Sequence, residues 1–177
     1  SFGAPVDFVR DTTNFSNYPF LIVPAYQMID QKMIDKLTLY AKNGGNLILS
    51  CRSGIQNRLG HLWEAKFYEP MWSLIGSEIE SYDLLMPQSP GVIKFNNQEF
   101  AWTSWGDLLK PNKETEVWAT YGSEFYAGKP AVISRSLGKG TVTYIGVDSK
   151  NGELENINNP ADTTRNDAAV RKAKNND

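Results

Sequence analysis

A lone cysteine and a lone histidine, Cys51 and His61, are the residues of this chain best suited to nucleophilic chemistry. Cys51 follows the apolar run "NLILS" and precedes Arg52, Ser53 and Gly54, a strand-to-loop corner of the sort where α/β enzymes place a nucleophile. A thiol hydrolase or amidotransferase would need a base within hydrogen-bond reach of the sulfur, and His61 is the base available. Arg52 would help by lowering the thiol pKa. Against this, Ser50 and Arg52 supply only half of the small flanking residues of a nucleophile elbow, and nothing in the spacing forces His61 toward the thiol. A buried thiol at a strand end is the commoner state of a free cysteine, and it is the preferred reading.

Other arrangements carry less. "SLGKGT" holds a Gly-Lys pair, but a phosphate loop needs a glycine at position 133, which is Ile133, and Ser or Thr at position 140, which is Gly140. It is a hairpin turn. Glu78, Glu80 and Asp83 cluster in "GSEIESYD", yet nothing there holds one carboxyl protonated for glycoside chemistry, so a solvated acidic edge is expected. One cysteine and one histidine cannot build a zinc site of the usual kind, which leaves only carboxylates for a hard cation; no metal and no cofactor is implied. Of the five tryptophans, Trp63, Trp102 and Trp105 could form a sugar-stacking platform, which gives a carbohydrate-binding module as an alternative. Trp63 and Tyr68, in a glycine-containing stretch, are expected outside the core.

The elements that would position these residues follow from periodicity. Val6–Val9, Phe20–Val23 and Leu47–Leu49 are short continuous apolar runs, as in strands buried on both faces of a parallel sheet. Between the second and third lies a helical pattern through Ile29, Met33, Leu37, Tyr40 and Ala41, with Asp30 to cap it and Gly44 to end it. A helix joining two buried strands is the crossover unit of a parallel sheet. Arg52–Tyr68 has no period and is a long loop; Pro70 opens a short helix closed by Gly76. Short strands follow at Val92–Phe95, Gln98–Trp102 and Val117–Tyr121, then "PAVISRS" and "TVTYIGV" pair as a hairpin through "LGKG".

With 177 residues, 41% of them apolar, the chain suits one domain with a tail. Its 18 basic and 20 acidic side chains leave a net charge of -2, with no broad field to draw in nucleic acid or anionic lipid. No apolar run approaches the roughly 20 residues that span a bilayer. Residues 150–177 are polar and expected to be a disordered tail. The compartment stays open; the cytoplasm is slightly favoured, and export is allowed because the N-terminus has no initiator methionine and reads as the middle of a longer chain.

Several stretches together resemble the trimerisation domain of glycoside hydrolase family 42 β-galactosidases. They are "VDFV", the long run "YPFLIVPAYQMIDQKMIDKLTLYAKNGGNLILSCRSGIQ", then "EPMWSLIGSEIESYD", "SWGDLL" and "YGSEFYAGKPAVISRSLGKGTVTYIGV". The similarity runs from Gly3 to Val147, and its most specific part is the final hairpin with "GKPA" and "GKG". It implies a non-catalytic middle domain over residues 1–149, with a class I glutamine amidotransferase-like (flavodoxin-like) α/β fold: a mostly parallel sheet with flanking helices and a C-terminal hairpin. The family pattern has one further strand and helix before "GAPVDFV", so the domain is expected to be truncated there.

The resemblance also implies what the domain serves. The parent would be a glycosidase that removes terminal β-linked galactose from oligosaccharides with retention, its two glutamates lying on a separate barrel. The partners expected are two further copies, in a homotrimer, and that catalytic barrel. No catalytic residue is assigned to this chain. Arg52, His61 and Trp63, on the loop at the carboxyl end of a central strand, are the candidates for contact with a neighbouring subunit, with galactoside near that interface.

Overall fold

A computed structural model describes residues 6–64, 66–86 and 88–148. The expected tail and the possible missing strand and helix lie outside these residues. Strand β1 (Phe20–Val23) leads through helix α1 (Gln31–Lys42) to strand β2 (Asn46–Ser50), which pairs parallel to β1. The helix forms as its sequence requires. The Asp30 carboxylate accepts from the Met33 N–H at 2.8 Å, and Met33, Ile34, Leu37, Tyr40 and Ala41 bury one face against the sheet. Gly44, at φ 112°, turns the chain out of the helix into β2.

Helix α2 (Glu69–Ile75), closed by Gly76 at φ 74°, is also where the sequence put it. Beyond it every helix or strand element among the described residues is a strand: β3 (Ser77–Leu84), β4 (Gly91–Phe95), β5 (Gln98–Trp102), β6 (Trp105–Pro111), β7 (Thr115–Tyr121), β8 (Pro130–Leu137) and β9 (Gly140–Ile145). β3 and β6 form a two-stranded antiparallel ribbon, and the other seven strands form one sheet in the order β1-β2-β9-β8-β7-β4-β5.

That order corrects the expected fold. A flavodoxin-like sheet is mostly parallel and sandwiched by helices; here only β1-β2-β9 run parallel, and every pairing from β9 to β5 is antiparallel. The result is a curled, mixed half-barrel dominated by strands. The physical reason is connectivity. A parallel pair needs a long crossover, which α1 supplies once, whereas the second half returns through tight turns: Asn96 and Asn97, both at positive φ, join β4 to β5, and Gly138 at φ 64° joins β8 to β9. The expected β8–β9 hairpin is present. The expected strand at Val6–Val9 is irregular chain, and β3 and β6 are strands that the apolar pattern did not reveal.

Two apolar clusters make the core. The larger lies between α1, α2 and the parallel strands; the smaller gathers Ile93, Trp102, Leu108, Tyr121 and Tyr126 under the antiparallel half. Both meet at the carboxyl ends of β2 and β9, beside the ribbon.

Candidate functional site: a buried carboxylate beneath an arginine and aromatic stack

Cys51 sits at that meeting point and is 2% exposed. Its main-chain N–H donates to the Ile145 carbonyl at 2.7 Å, extending the β2–β9 pairing by one residue. Burial pushes its thiol well above the ordinary thiol range, the carboxylates of Asp107 and Asp148 push it further, and Arg52 offsets only part of this. The sulfur is a protonated core atom. His61 lies on the exposed loop, where its main-chain N–H donates to the Asn57 side chain at 3.1 Å, and among the described residues no hydrogen bond joins it to Cys51. The geometry therefore gives no support to a thiol nucleophile.

Arg52 turns the chain sharply, at φ 64°, a left-handed conformation that costs a non-glycine residue on the order of 1 kcal/mol. The turn aims its guanidinium across Trp105, 4.8 Å from the ring centroid. Trp105 is stacked on Tyr82 at 4.0 Å and 7°, and Tyr82 on Phe67 at 5.5 Å and 25°. A column of three rings capped by an arginine thus spans the ribbon and the loop. Within it Trp105 is buried and Tyr82 is 45% exposed, and the only ion pair of Arg52 among the described residues is a loose one to Asp148 at 3.9 Å. The Arg52 Nε is buried and unpaired.

Beneath the column lies Asp107, on β6 and fully buried. Its carboxylate accepts from the Trp105 indole N–H at 2.7 Å and from the Tyr144 hydroxyl at 2.6 Å, while its main-chain carbonyl accepts from the Tyr121 hydroxyl at 2.8 Å. Loss of water raises its pKa to about 6, although those donors and the Arg52 main chain and charge pull the other way. Asp107 thereby ties β6 to β9 and fixes the plane of Trp105. Asp107 is not among the residues singled out from the sequence. The signal was there in "WGDLL", an acid set inside an apolar run, which is stable only when buried with donors of its own.

The remaining candidates separate. Trp63 is half-buried and donates its indole N–H to the Gly54 carbonyl at 2.7 Å, packing against its own domain's core. Trp102 is fully buried in the second cluster, so Trp63, Trp102 and Trp105 do not form the sugar platform that was considered. Tyr68, expected outside the core, is fully buried. The loop itself is well tied down: Arg58 reaches Asp30 at 3.0 Å and Asp11 at 3.4 Å, and main-chain bonds join Gln56 to Gln27 and Ile29. The acidic edge is paired outward, Glu78 with Lys110 and Glu80 with Lys129. Among the described residues no group of three or more His, Cys, Asp or Glu side chains is placed to hold a metal ion.

Residues 1–163 match a family model described as the β-galactosidase trimerisation domain. The β-galactosidase LacA of Lactobacillus acidophilus is 31% identical over 142 residues, covering 80% of this chain and 21% of the relative. BgaB of Geobacillus kaustophilus is 30% identical over 141 residues, again covering 80% of this chain and 21% of the relative. This chain therefore spans about a fifth of the length of the curated relatives it matches. Among solved structures, Gan42B, a GH42 β-galactosidase from G. stearothermophilus, superposes with a TM-score of 0.78 at 25% identity, covering 97% of this chain and 23% of that one. The β-galactosidase of the Antarctic haloarchaeon Halorubrum lacusprofundi shares the fold, with a TM-score of 0.74 at 24% identity, over 80% of this chain and 21% of its own.

Proposed function

We propose, from the premise that this chain belongs to the β-galactosidase trimerisation domain family, that it holds three copies of a larger β-galactosidase together. The domain is itself non-catalytic. The parent protein would hydrolyse terminal β-galactosides on a catalytic barrel outside this chain, and the domain's partners would be two further copies and that barrel. The observation that carries this reading is the family match over residues 1–163 of 177.

The geometry supports it in two ways. The nucleophile-like corner at Cys51 is filled by core, so the site is built to hold a shape. What that shape presents outward is the Arg52 corner and the Tyr82 ring, both backed by the buried Trp105, the kind of rigid aromatic and arginine surface that dominates protein interfaces. We place the contact with a neighbouring subunit on the Arg52–Tyr68 loop, with Arg52 as its principal residue and His61 and Trp63 flanking it, and galactoside bound nearby. The test is to delete residues 6–148 from the complete polypeptide and measure mass and nitrophenyl galactoside hydrolysis together. The deletion should abolish the trimer. If the shortened protein remains a trimer, the domain does not hold the subunits together.

A further inference from the structure

A closed trimer with cyclic symmetry joins each copy to the next through two different surfaces, so a domain that makes one must carry a complementary pair. One member is the Arg52 end of the aromatic column. Its side chain is 30% exposed and, beyond its place over Trp105, its only ion pair among the described residues is the loose contact to Asp148, so its terminal nitrogens have donors to spare. Such a surface suits an aromatic ring accompanied by a carboxylate.

That complement is present elsewhere on the same domain. Between β7 and β8 the chain projects Glu124 and Phe125 into solvent; Phe125 is 88% exposed, and Glu124 holds a left-handed φ of 65°. The projection is rigid. Gly128 N–H donates to the Tyr121 carbonyl at 2.8 Å, Val92 N–H to the Ser123 hydroxyl at 3.0 Å, and the buried Tyr126 donates its hydroxyl to Asp83 at 2.7 Å. An apolar ring held in water on a pinned loop is unfavourable in an isolated domain and favourable where a partner covers it.

The two surfaces are rooted on opposite faces of β3. Tyr82 and Asp83 are successive residues of β3, so their side chains leave opposite faces of the ribbon. Tyr82 belongs to the column, while Asp83 anchors the projecting loop. Two unlike patches, rooted on opposite faces of one strand, let each copy use one toward each neighbour in a ring of head-to-tail contacts.

We propose that Glu124 and Phe125 of one copy dock on the Arg52 and Tyr82 surface of the next, with Glu124 paired to Arg52 and Phe125 against the exposed Tyr82 ring. This rests on the trimer reading above and gives it an address. The test is a charge exchange in the complete polypeptide, followed by sedimentation velocity over a concentration series. Arg52→Glu and Glu124→Arg should each raise the dissociation constant of the trimer by roughly tenfold or more, and the double exchange should return it to within roughly threefold of wild type. Phe125→Ala, at a side chain 88% exposed whose one ring contact within its own domain is an edge contact to Tyr126 among the described residues, should weaken the trimer as well. Should Arg52→Glu fail to fold, Glu124→Arg and Phe125→Ala alone decide the matter. A wild-type protein that is monomeric at every concentration overturns the trimer reading itself. A wild-type trimer that Glu124→Arg and Phe125→Ala leave unchanged, or single variants that the double exchange does not rescue, overturn this docking assignment alone.

Discussion

Burying Asp107 removes solvation that Tyr144, Trp105 and the Arg52 main chain return only in part, so its carboxyl titrates at about 6 where an ordinary aspartate titrates at 3.8. Between those values the folded state keeps a proton that the unfolded chain releases. The resulting stability is therefore full below 3.8 and is lost as pH rises through about 6. Asp107→Asn cannot titrate, so wild type should lose melting temperature relative to that variant across this window and hold a constant difference above it; a constant difference throughout would refute the assignment. Asp107→Ala should be worse at every pH, by about 1–3 kcal/mol, because Trp105 and Tyr144 would each keep a buried donor without an acceptor. Cys51 belongs to the same layer. Its raised thiol pKa and burial predict no reaction with an aromatic disulfide reagent at pH 8 until the protein unfolds, whereas an exposed thiolate would react at once. Cys51 was legible as a strand end from its neighbours alone; for Asp107 the local part, an acid in an apolar run two residues from Trp105, lies in "WGDLL", but its second donor, Tyr144, is brought to it only by the tertiary fold.

At the scale of elements, what could be read was what is local. The cap at Asp30, the spacing of Met33, Leu37 and Tyr40, and the stop at Gly44 lie within one stretch of sequence, and α1 forms there. Asp30→Ala should cost about 1 kcal/mol in urea unfolding, for the lost cap and the freed Arg58, while Asp30→Asn, which keeps an acceptor for Met33 N–H, should lose less. The ribbon escaped notice because its signals are not local. β6 reads as "WGDLLKP", without clean alternation, since its residues are buried by β3, β8 and the second cluster at once. Gly106 shows the crowding: a methyl group there would fall 2.6 Å from the Trp102 ring and 2.9 Å from the Tyr121 hydroxyl. Gly106→Ala is expected to destabilise the protein by about 1–3 kcal/mol, and a neutral result would mean that the ribbon packs less tightly than described.

For the whole molecule, the sheet was misjudged for a related reason. One crossover helix is compatible with either a parallel or a mixed sheet, and only the order β1-β2-β9-β8-β7-β4-β5 shows that the chain then returns by hairpins. The family, by contrast, was legible from stretches spread over most of the chain, because such stretches are recognised by the order of their residue types, which does not depend on how the strands pair. The central claim is that this domain assembles three subunits, and the most direct measurement is the solution mass of the complete polypeptide by sedimentation equilibrium at several concentrations. The expected result is three times the polypeptide mass, with dissociation only on dilution; a single polypeptide mass that persists at high concentration would contradict a trimer.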